Sequence, residues 1–264
     1  MKKCFYLIFL YLTLSADLKA ETQLSIAPAL LFFDYTEFGF DDSVLNNETG
    51  TIPGVQLHLN TAINDQLNIE LELTRYDGDV AYNGYSQSGT AINTTTDENI
   101  LRYGLRIITP LFDNTEIFLA TSMHQWKRDI QGKGSILGIF EKYQWQEIAA
   151  GIKTRFQINK HDSWSAEVAL LKIINPDMYI DLSEADLGST TLKLNAETGA
   201  RFQLSWLRTS SNNRSYEISA FYEMRDFDMS DSGATSGGAS SVSVYEPRSE
   251  SKHSGIQFNL GFQY

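Results

Sequence analysis

Hydrophobic and polar residues alternate with a period of two along most of this chain. Between Leu192 and Trp206, the even positions hold Leu, Ala, Thr, Phe and Trp, and the odd positions hold Lys, Asn, Glu, Gly, Arg, Gln and Ser. A helix cannot separate neighbouring residues in this way, whereas successive residues of a β-strand point to opposite faces. The pattern therefore predicts strands that have one apolar and one polar face.

The same alternation recurs along the chain, and short and long polar segments separate the strands by turns. Further strands are predicted near residues 54–60, 67–74, 101–107, 147–156, 164–170, 216–225 and 255–264. Segments 25–35 and 115–126 carry apolar residues in both parities, and we interpret them as strands from their position in the chain. Short turns are predicted at 63–66, 110–114, 159–163 and 209–213, and long polar loops at 37–50, 78–97, 128–141, 175–189 and 228–248.

Alternation alone leaves open which face is outside, because a soluble barrel hides its apolar face and a membrane barrel exposes it to lipid. Segment 192–206 is much longer than the roughly 5 or 6 residues of an average strand, and it satisfies the roughly 9 to 11 residues of a tilted membrane strand. The short turns at one end and long loops at the other are also typical of outer-membrane barrels. A soluble extracellular barrel is the competing interpretation.

We therefore predict an all-β protein: a closed, antiparallel, up-and-down transmembrane β-barrel of about ten strands, with eight or twelve as alternatives. An open sheet edge would leave backbone amides unpaired in hydrocarbon, so the last strand must pair with the first. Aromatic residues near strand ends are predicted to form girdles at the membrane interfaces. These residues are Tyr76, Trp126, Trp145, Trp164, Trp206, Tyr216 and Tyr264.

The first residues are typical of an export signal, because Lys2 and Lys3 precede a mostly apolar run at 5–14 that is too short to span a bilayer. We predict a signal peptide at 1–20, with Ala16 as a rival cleavage site, and one barrel domain at 21–264. Removing 1–20 takes three basic and one acidic residue from totals of 21 and 33, which leaves a net charge of −14. Such a balance argues against nucleic acid as a partner.

The export signal, the long amphipathic strands and the aromatic last residue together resemble the bacterial outer-membrane β-barrel proteins. The resemblance implies insertion in the outer membrane of a Gram-negative bacterium, surrounded by lipid and lipopolysaccharide. It also implies that periplasmic chaperones and the barrel assembly machinery handle the chain, and that Phe262 and Tyr264 form the assembly signal in its last strand. We expect a monomer.

Charged residues on the polar strand faces are predicted to line the lumen. A ten-stranded barrel is only slightly wider than the eight-stranded kind that side chains can fill, so opposite charges should form a network that plugs it. A narrow polar pore is the alternative. The predicted network consists of Glu70, Glu72, Arg102, Arg106, Glu147, Lys153, Arg155, Glu167, Lys193, Glu197, Arg201, Glu217, Glu223 and Arg225.

Enzymatic chemistry has little support in the sequence. Ser251, His253 and Glu223 are the minimum set for a nucleophilic hydrolase, but no motif flanks them, and the paired aspartates and Asp-His pair of omptin-type proteases find no match. We predict no catalytic residues, no metal site and no cofactor. The predicted role is structural or surface-interacting through external loops; a narrow channel for small polar solutes is the first alternative, and an outer-membrane hydrolase the second.

Overall fold

The structure is a computed structural model that describes residues 21–85, 89–210 and 214–263. The predicted signal peptide and Tyr264 lie outside the described residues. Among the described residues, no helix is long and apolar enough to cross a membrane. The first strands are β1 (Thr22–Phe38), β2 (Val44–Asn64), β3 (Leu67–Tyr85), β4 (Ala91–Phe112), β5 (Thr115–Ile130), β6 (Ile139–Gln157) and β7 (Asp162–Asp181). The others are β8 (Ser189–Lys193), β9 (Asn195–Ala196), β10 (Thr198–Ser210), β11 (Arg214–Asp228), β12 (Gly233–Ala234), β13 (Ser243–Val244) and β14 (Arg248–Gln263).

The long strands close into an antiparallel barrel. Each strand from β1 to β6 pairs with the next, β10 pairs with β7 and β11, and β14 pairs with β11 and β1. Because β8, β9 and β10 form one interrupted strand, the wall has ten strand positions. The predicted ten-stranded barrel is confirmed, as are the pairing of the last strand with the first, shown by Leu30 opposite Ile256, and the short turns at 63–66, 110–114 and 159–163. Most of the turn predicted at 209–213 lies outside the described residues.

The outer face of the wall is divided into an apolar and a polar half. Leu30, Leu119 and Phe258 are among the exposed apolar side chains on the half that contains the start of β1, the end of β14 and the short turns. Further along the same faces the outward positions become polar, as at Asp34 and Gln144. We call the first half the belt and the second half the extension. Since lipid accepts only the apolar half, the belt is the membrane-spanning segment and the extension rises beyond it.

Most of the predicted long loops are wrong, because the strands continue through them. Strands β1 and β2 are separated only by residues 39–43, β5 and β6 by 131–138, and β7 and β8 by 182–188, whereas residues 229–247 do form a long connection. The polarity of these segments did not indicate irregular backbone, and several of their polar residues, among them Glu48 and Arg128, are buried on the inner face of the wall. A polar side chain at the water-exposed end of a barrel is compatible with a fully paired strand, so composition did not mark where pairing stops.

Two neighbouring strands change phase where the belt meets the extension. On β7, Ile173 and Met178 both face the lumen although one has an odd and the other an even number. The phase changes between them because Asn175 adopts φ 49° and forms a bulge. On the next wall position, Leu194 faces inward before the break and Arg201 faces inward after it. Residues 192–206 are therefore not one continuous strand, and the parity assigned to their first third is wrong.

Candidate functional site

Ion pairs cross the lumen about halfway along the strands. Arg225 Nε lies 2.7 Å from Glu147 Oε2, and Arg225 Nη1 lies 2.9 Å from Glu223 Oε1. Arg102 Nη1 reaches Glu223 Oε2 at 3.6 Å and also pairs with Glu72. Because β4 and β11 stand on opposite sides of the ten-position wall, the Arg102–Glu223 pair spans the barrel and fills its interior.

The remaining members of the predicted network lie at different depths. Arg201 Nη1 lies 3.8 Å from Glu223 Oε2, and Arg106 pairs with Glu167 at 2.9 Å and with Glu70 at 3.7 Å. Three others line the lumen nearer the short turns, and no ion pair within 4.0 Å is found for them among the described residues. These three are Lys153, Arg155 and Glu217.

Lys193 and Glu197 are not in the lumen, which corrects the sequence prediction. Lys193 has a side chain that is 76% exposed and pairs with Asp177 at 3.5 Å, and Glu197 is exposed. The cause is the change of phase between β8 and β10, which turns the odd positions outward above the break. Neither residue can contribute to a lumen network.

A polar cavity of about 360 Å³ occupies the lumen on the short-turn side of the ion pairs. Small side chains such as Ser25 and Ser215 on one part of the wall leave this space, and Arg106, Lys153 and Glu217 line another part. We call it the vestibule. Between the ion-pair layer and the Trp126 ring lies a much smaller cavity of about 40 Å³.

Aromatic side chains form the next layer, on the extension side of the ion pairs. The Trp126 ring lies 5.0 Å from Tyr35, 4.9 Å from Tyr143 and 5.7 Å from Phe33, measured between ring centroids. All four rings are buried, as are Trp145 and Phe227 in the same layer. Centroid separations of 4.5 to 7 Å are those of stabilising aromatic pairs, so this layer is a packed plug.

The predicted girdle is wrong for Tyr76, Trp126 and Trp145, which lie inside the barrel. The sequence contained a signal for this, since Tyr76 shares the parity of Glu72, and Trp145 that of Glu147. Trp164 is 42% exposed on the outer face, while Trp206 and Tyr216 lie half-buried at outward positions. Phe262 also faces outward, opposite Leu24 of β1, and its assembly role stays a prediction.

A buried arginine organises an acidic cluster above the aromatic layer. Arg128 has no exposed surface; its Nη1 lies 2.7 Å from Glu141 Oε2 and 3.0 Å from Glu37 Oε1, and its Nη2 lies 2.7 Å from Glu48 Oε1. Its guanidinium stacks over the Tyr35 ring at 4.3 Å. We call the group the Arg128 cluster; its carboxylates are Glu37, Glu48, Glu98, Glu141 and Glu246.

The Arg128 cluster carries one guanidinium against five carboxylates. Ionised carboxylates are costly to bury without compensating charge, so some of the five must hold protons. The sequence interpretation missed this cluster because it placed Glu37, Glu48, Glu141 and Glu246 in loops. Parity offered one clue, since Arg128 continues the inward series of His124 and Trp126.

Residues 229–247 fold over the external mouth, and we call them the lid. Ser230 N donates to Glu246 O, and Thr235 N donates to Val242 O, so the lid is a hairpin. It docks on the β7–β8 connection and on the first residue of β8, where Ser189 and Ser236 exchange two backbone hydrogen bonds. Gly188 permits this approach because its φ is 74° and a Cβ there would lie 2.1 Å from Ser236 O.

The lid contributes Glu246 to the Arg128 cluster. Tyr143 Oη donates to Glu246 Oε1 at 2.5 Å, and Tyr35 Oη donates to the same oxygen at 3.3 Å. Burial, together with the nearby Glu37 and Glu141, raises the pKa of Glu246 well above its usual range, although Arg128 acts in the opposite direction. The seated lid therefore favours the protonated form of this side chain.

The structure brings Ser251 and His253 together, with Ser251 Oγ 3.1 Å from His253 Nε2. Glu223 lies opposite His253 in register but forms its ion pairs with Arg225, Arg102 and Arg201. Both Ser251 and His253 are buried, and the cavity beside them holds only about 40 Å³. That space admits a few water molecules and no peptide or lipid substrate.

A metal centre finds no support in the part of the chain that the structure describes, where no group of three or more His, Cys, Asp or Glu side chains has the geometry to hold an ion.

Comparison with known proteins identifies the fold but no sequence relative. No known protein family matches this sequence, and no curated protein is similar to it. The outer membrane protease OmpT from Escherichia coli has a similar structure, with a TM-score of 0.51 over 93% of this chain and 96% of that chain, at 9% sequence identity. The chain therefore has the fold of bacterial outer-membrane β-barrel proteins.

Two other solved structures are similar at lower scores. The toluene transporter TodX from Pseudomonas putida matches with a TM-score of 0.34 and 8% identity, over 96% of this chain and 92% of that one. Ail, the attachment invasion locus protein of Yersinia pestis, matches with a TM-score of 0.33 and 10% identity, over 90% of this chain and 99% of that one. They are all outer-membrane barrels, and their activities differ from one another.

Proposed function

We propose that this protein is a non-catalytic integral outer-membrane protein whose lumen does not conduct solutes, and that it acts at the cell surface through its extension. One observation carries the proposal: three successive layers of side chains fill the lumen. Ion pairs such as Arg102–Glu223 cross it, the rings around Trp126 pack above them, and the Arg128 cluster and lid close the external end. A ten-stranded barrel filled in this way leaves no continuous water path.

The extension supports a surface role because its wall is paired, long and polar. Outward residues such as Asp77, Gln144 and Lys252 place a polar surface with charges of both signs beyond the belt, on strands rather than on loops. Function on rigid strands favours recognition of a surface of fixed shape. We further propose that lipid and lipopolysaccharide surround the belt, that chaperones and the barrel assembly machinery insert the chain, and that it is monomeric.

A narrow channel for small polar solutes is the alternative, favoured by the vestibule of about 360 Å³. The vestibule forms a polar space through much of the belt. The ion-pair layer, the aromatic layer and the Arg128 cluster then separate it from the external medium.

A hydrolase is a third candidate, supported by the Ser251–His253 contact. Hydrolysis of peptide or lipid by the wild-type protein that disappears in Ser251→Ala would establish the hydrolase and contradict the non-catalytic role.

Planar bilayer recordings test the proposal. We expect purified, heat-modifiable protein to insert without stable openings, because every path through the lumen meets the ion-pair and aromatic layers. An open porin in the same bilayers serves as the positive control, and detergent without protein as the blank. Reproducible unitary openings of the wild-type protein would overturn the proposal in favour of the channel.

A further inference from the structure

The lid closes the barrel by placing an acidic side chain among other acids. Glu246 is 3% exposed, and both of its neighbours in the hydrogen-bond network, Tyr35 and Tyr143, are fully buried. The backbone on both sides of this carboxylate is tied to Ser230, because Glu246 N donates to Ser230 Oγ at 2.8 Å and Glu246 O accepts from Ser230 N at 3.0 Å. Seating of the lid therefore requires that the Glu246 carboxyl group stay inside the Arg128 cluster.

The charges around Glu246 come from six strands. Arg128 is the cation among them, and it already contacts Glu37, Glu48 and Glu141. The titratable groups that face the site are Tyr35 and Glu37 of β1, Glu48 of β2, Tyr82 of β3, Glu98 of β4, Arg128 of β5, and Glu141 and Tyr143 of β6. On the other walls, the charged residues next to this height lie at outward positions; among them are Asp181 of β7, Asp226 and Asp228 of β11, and Arg248 and Glu250 of β14.

We propose that the lid is a proton-dependent closure, which stays seated while Glu246 is protonated and is released when Glu246 ionises. The neutral carboxyl accepts the hydrogen bonds of Tyr143 and Tyr35 without adding charge. Ionisation transfers its proton to solvent and leaves a further negative charge beside Glu37 and Glu141, which one guanidinium cannot balance. Release moves this charge into water.

The lid can move without disturbing the wall. The hydrogen bonds between the lid and the β7–β8 connection or the start of β8 are the two Ser189–Ser236 bonds and Ser240 N donating to Asp186 O at 3.3 Å. Val242 and Val244 of the lid are partly buried against the core. The strands that flank it, β11 and β14, are held by their own continuous ladder. Elements with few contacts and exposed hydrogen bonds open at low free energy.

The direction of the pH dependence follows from where Glu246 binds its proton more tightly. Burial and the acids Glu37 and Glu141 raise the pKa of Glu246 in the seated lid, whereas a released lid exposes the side chain to water, where the pKa of a glutamate is about 4.3. The stabilisation of the seated state is thus complete below about pH 4 and is lost as pH rises toward the raised value. For one proton, the opening equilibrium increases up to about tenfold per pH unit within that window.

Distance measurements between two spin labels test the proposal. Residues 21–264 contain no cysteine, so Ser240→Cys on the lid and Ser135→Cys on the β5–β6 connection allow specific labelling of the full barrel in nanodiscs. We expect one distance at pH 4 and a second, growing population as the pH is raised to 9. In Glu246→Gln, which keeps a neutral acceptor for Tyr143, the lid should remain seated throughout.

Two further variants make the test specific. Asp231→Asn removes an exposed acid of the same lid and should keep the wild-type pH profile. Tyr143→Phe removes a hydrogen bond to Glu246 and should move the opening midpoint to lower pH. A wild-type distribution that does not change between pH 4 and 9, or a Glu246→Gln protein that folds and still opens with the wild-type profile, would overturn the proposal.

Discussion

Replacing Arg128 by methionine is expected to lower the free energy of unfolding by about 3–5 kcal/mol at pH 7, the usual cost of removing one partner from a buried ion pair. Arg128 is fully buried and is the guanidinium that Glu37, Glu48 and Glu141 contact. Methionine fills a similar volume but leaves these carboxylates without a cation. Urea titration of the folded barrel, followed by heat-modifiable migration, measures the loss.

Arg75→Met is the matched control, because Arg75 also pairs with an acid, Asp77, but its side chain is 60% exposed. An exposed pair contributes about 1 kcal/mol or less, so this variant should unfold close to the wild type. The Arg128→Met deficit should also shrink as pH falls, since the orphaned carboxylates become neutral. Equal effects of the two substitutions, or a deficit that does not change with pH, would contradict the structure of the Arg128 cluster.

Truncating Trp126 to alanine is expected to cost about 3–5 kcal/mol, the range for large aromatic residues in packed cores. Trp126 contacts the rings of Phe33, Tyr35 and Tyr143, and its indole N–H donates to Glu98. Removing it opens a cavity in the middle of the plug and deletes the indole donor to Glu98. The same urea titration measures the change.

Trp164→Ala provides the control for Trp126→Ala. Trp164 is 42% exposed on the outer face, near the short turns, so its truncation removes fewer protein contacts. We expect a loss of less than half that of Trp126→Ala. A larger effect at Trp164 than at Trp126 would mean that the aromatic layer does not hold the barrel together.

The barrel itself was predictable because parity is a local property of sequence. Alternation located the strands, and the requirement for closure in lipid placed β14 beside β1. The same parity assigned Glu72, Arg102 and Glu223 correctly to the lumen. Phase shifts were not predictable, since the bulge at Asn175 and the break before Thr198 lie in segments where both faces become water-exposed or mixed.

The side-chain contacts inside the extension were not predictable for a different reason. Parity indicates that a side chain points inward but not which residue it meets across the barrel. Arg128 and Glu37 are 91 residues apart in sequence and come from non-adjacent strands. In the belt, apolar side chains point outward and polar ones inward. In the extension, apolar residues such as Ile52 point inward, so polarity no longer indicates the face in the same way.

The aromatic plug was misjudged as a girdle because position along the strand was given more weight than parity. Trp145 lies near a strand end of the membrane-spanning part, where interfacial aromatics are expected, yet it faces inward with Glu147. The extension moves the true strand end further outward. Trp145 therefore lies in the middle of a longer strand than the composition indicated, and not at its end.

Tryptophan quenching tests most directly whether aromatic residues close the lumen. The chain has four tryptophans, so single-tryptophan proteins that keep only Trp126 or only Trp164, with phenylalanine at the other three positions, report on one site each. In bilayers of brominated lipid, Trp164 should be strongly quenched and Trp126 should not, and aqueous acrylamide should leave Trp126 nearly unaffected. Quenching of Trp126 by brominated lipid would place it on the outer face, and quenching by acrylamide as strong as for free indole would show a water-filled lumen; either result contradicts the closed barrel.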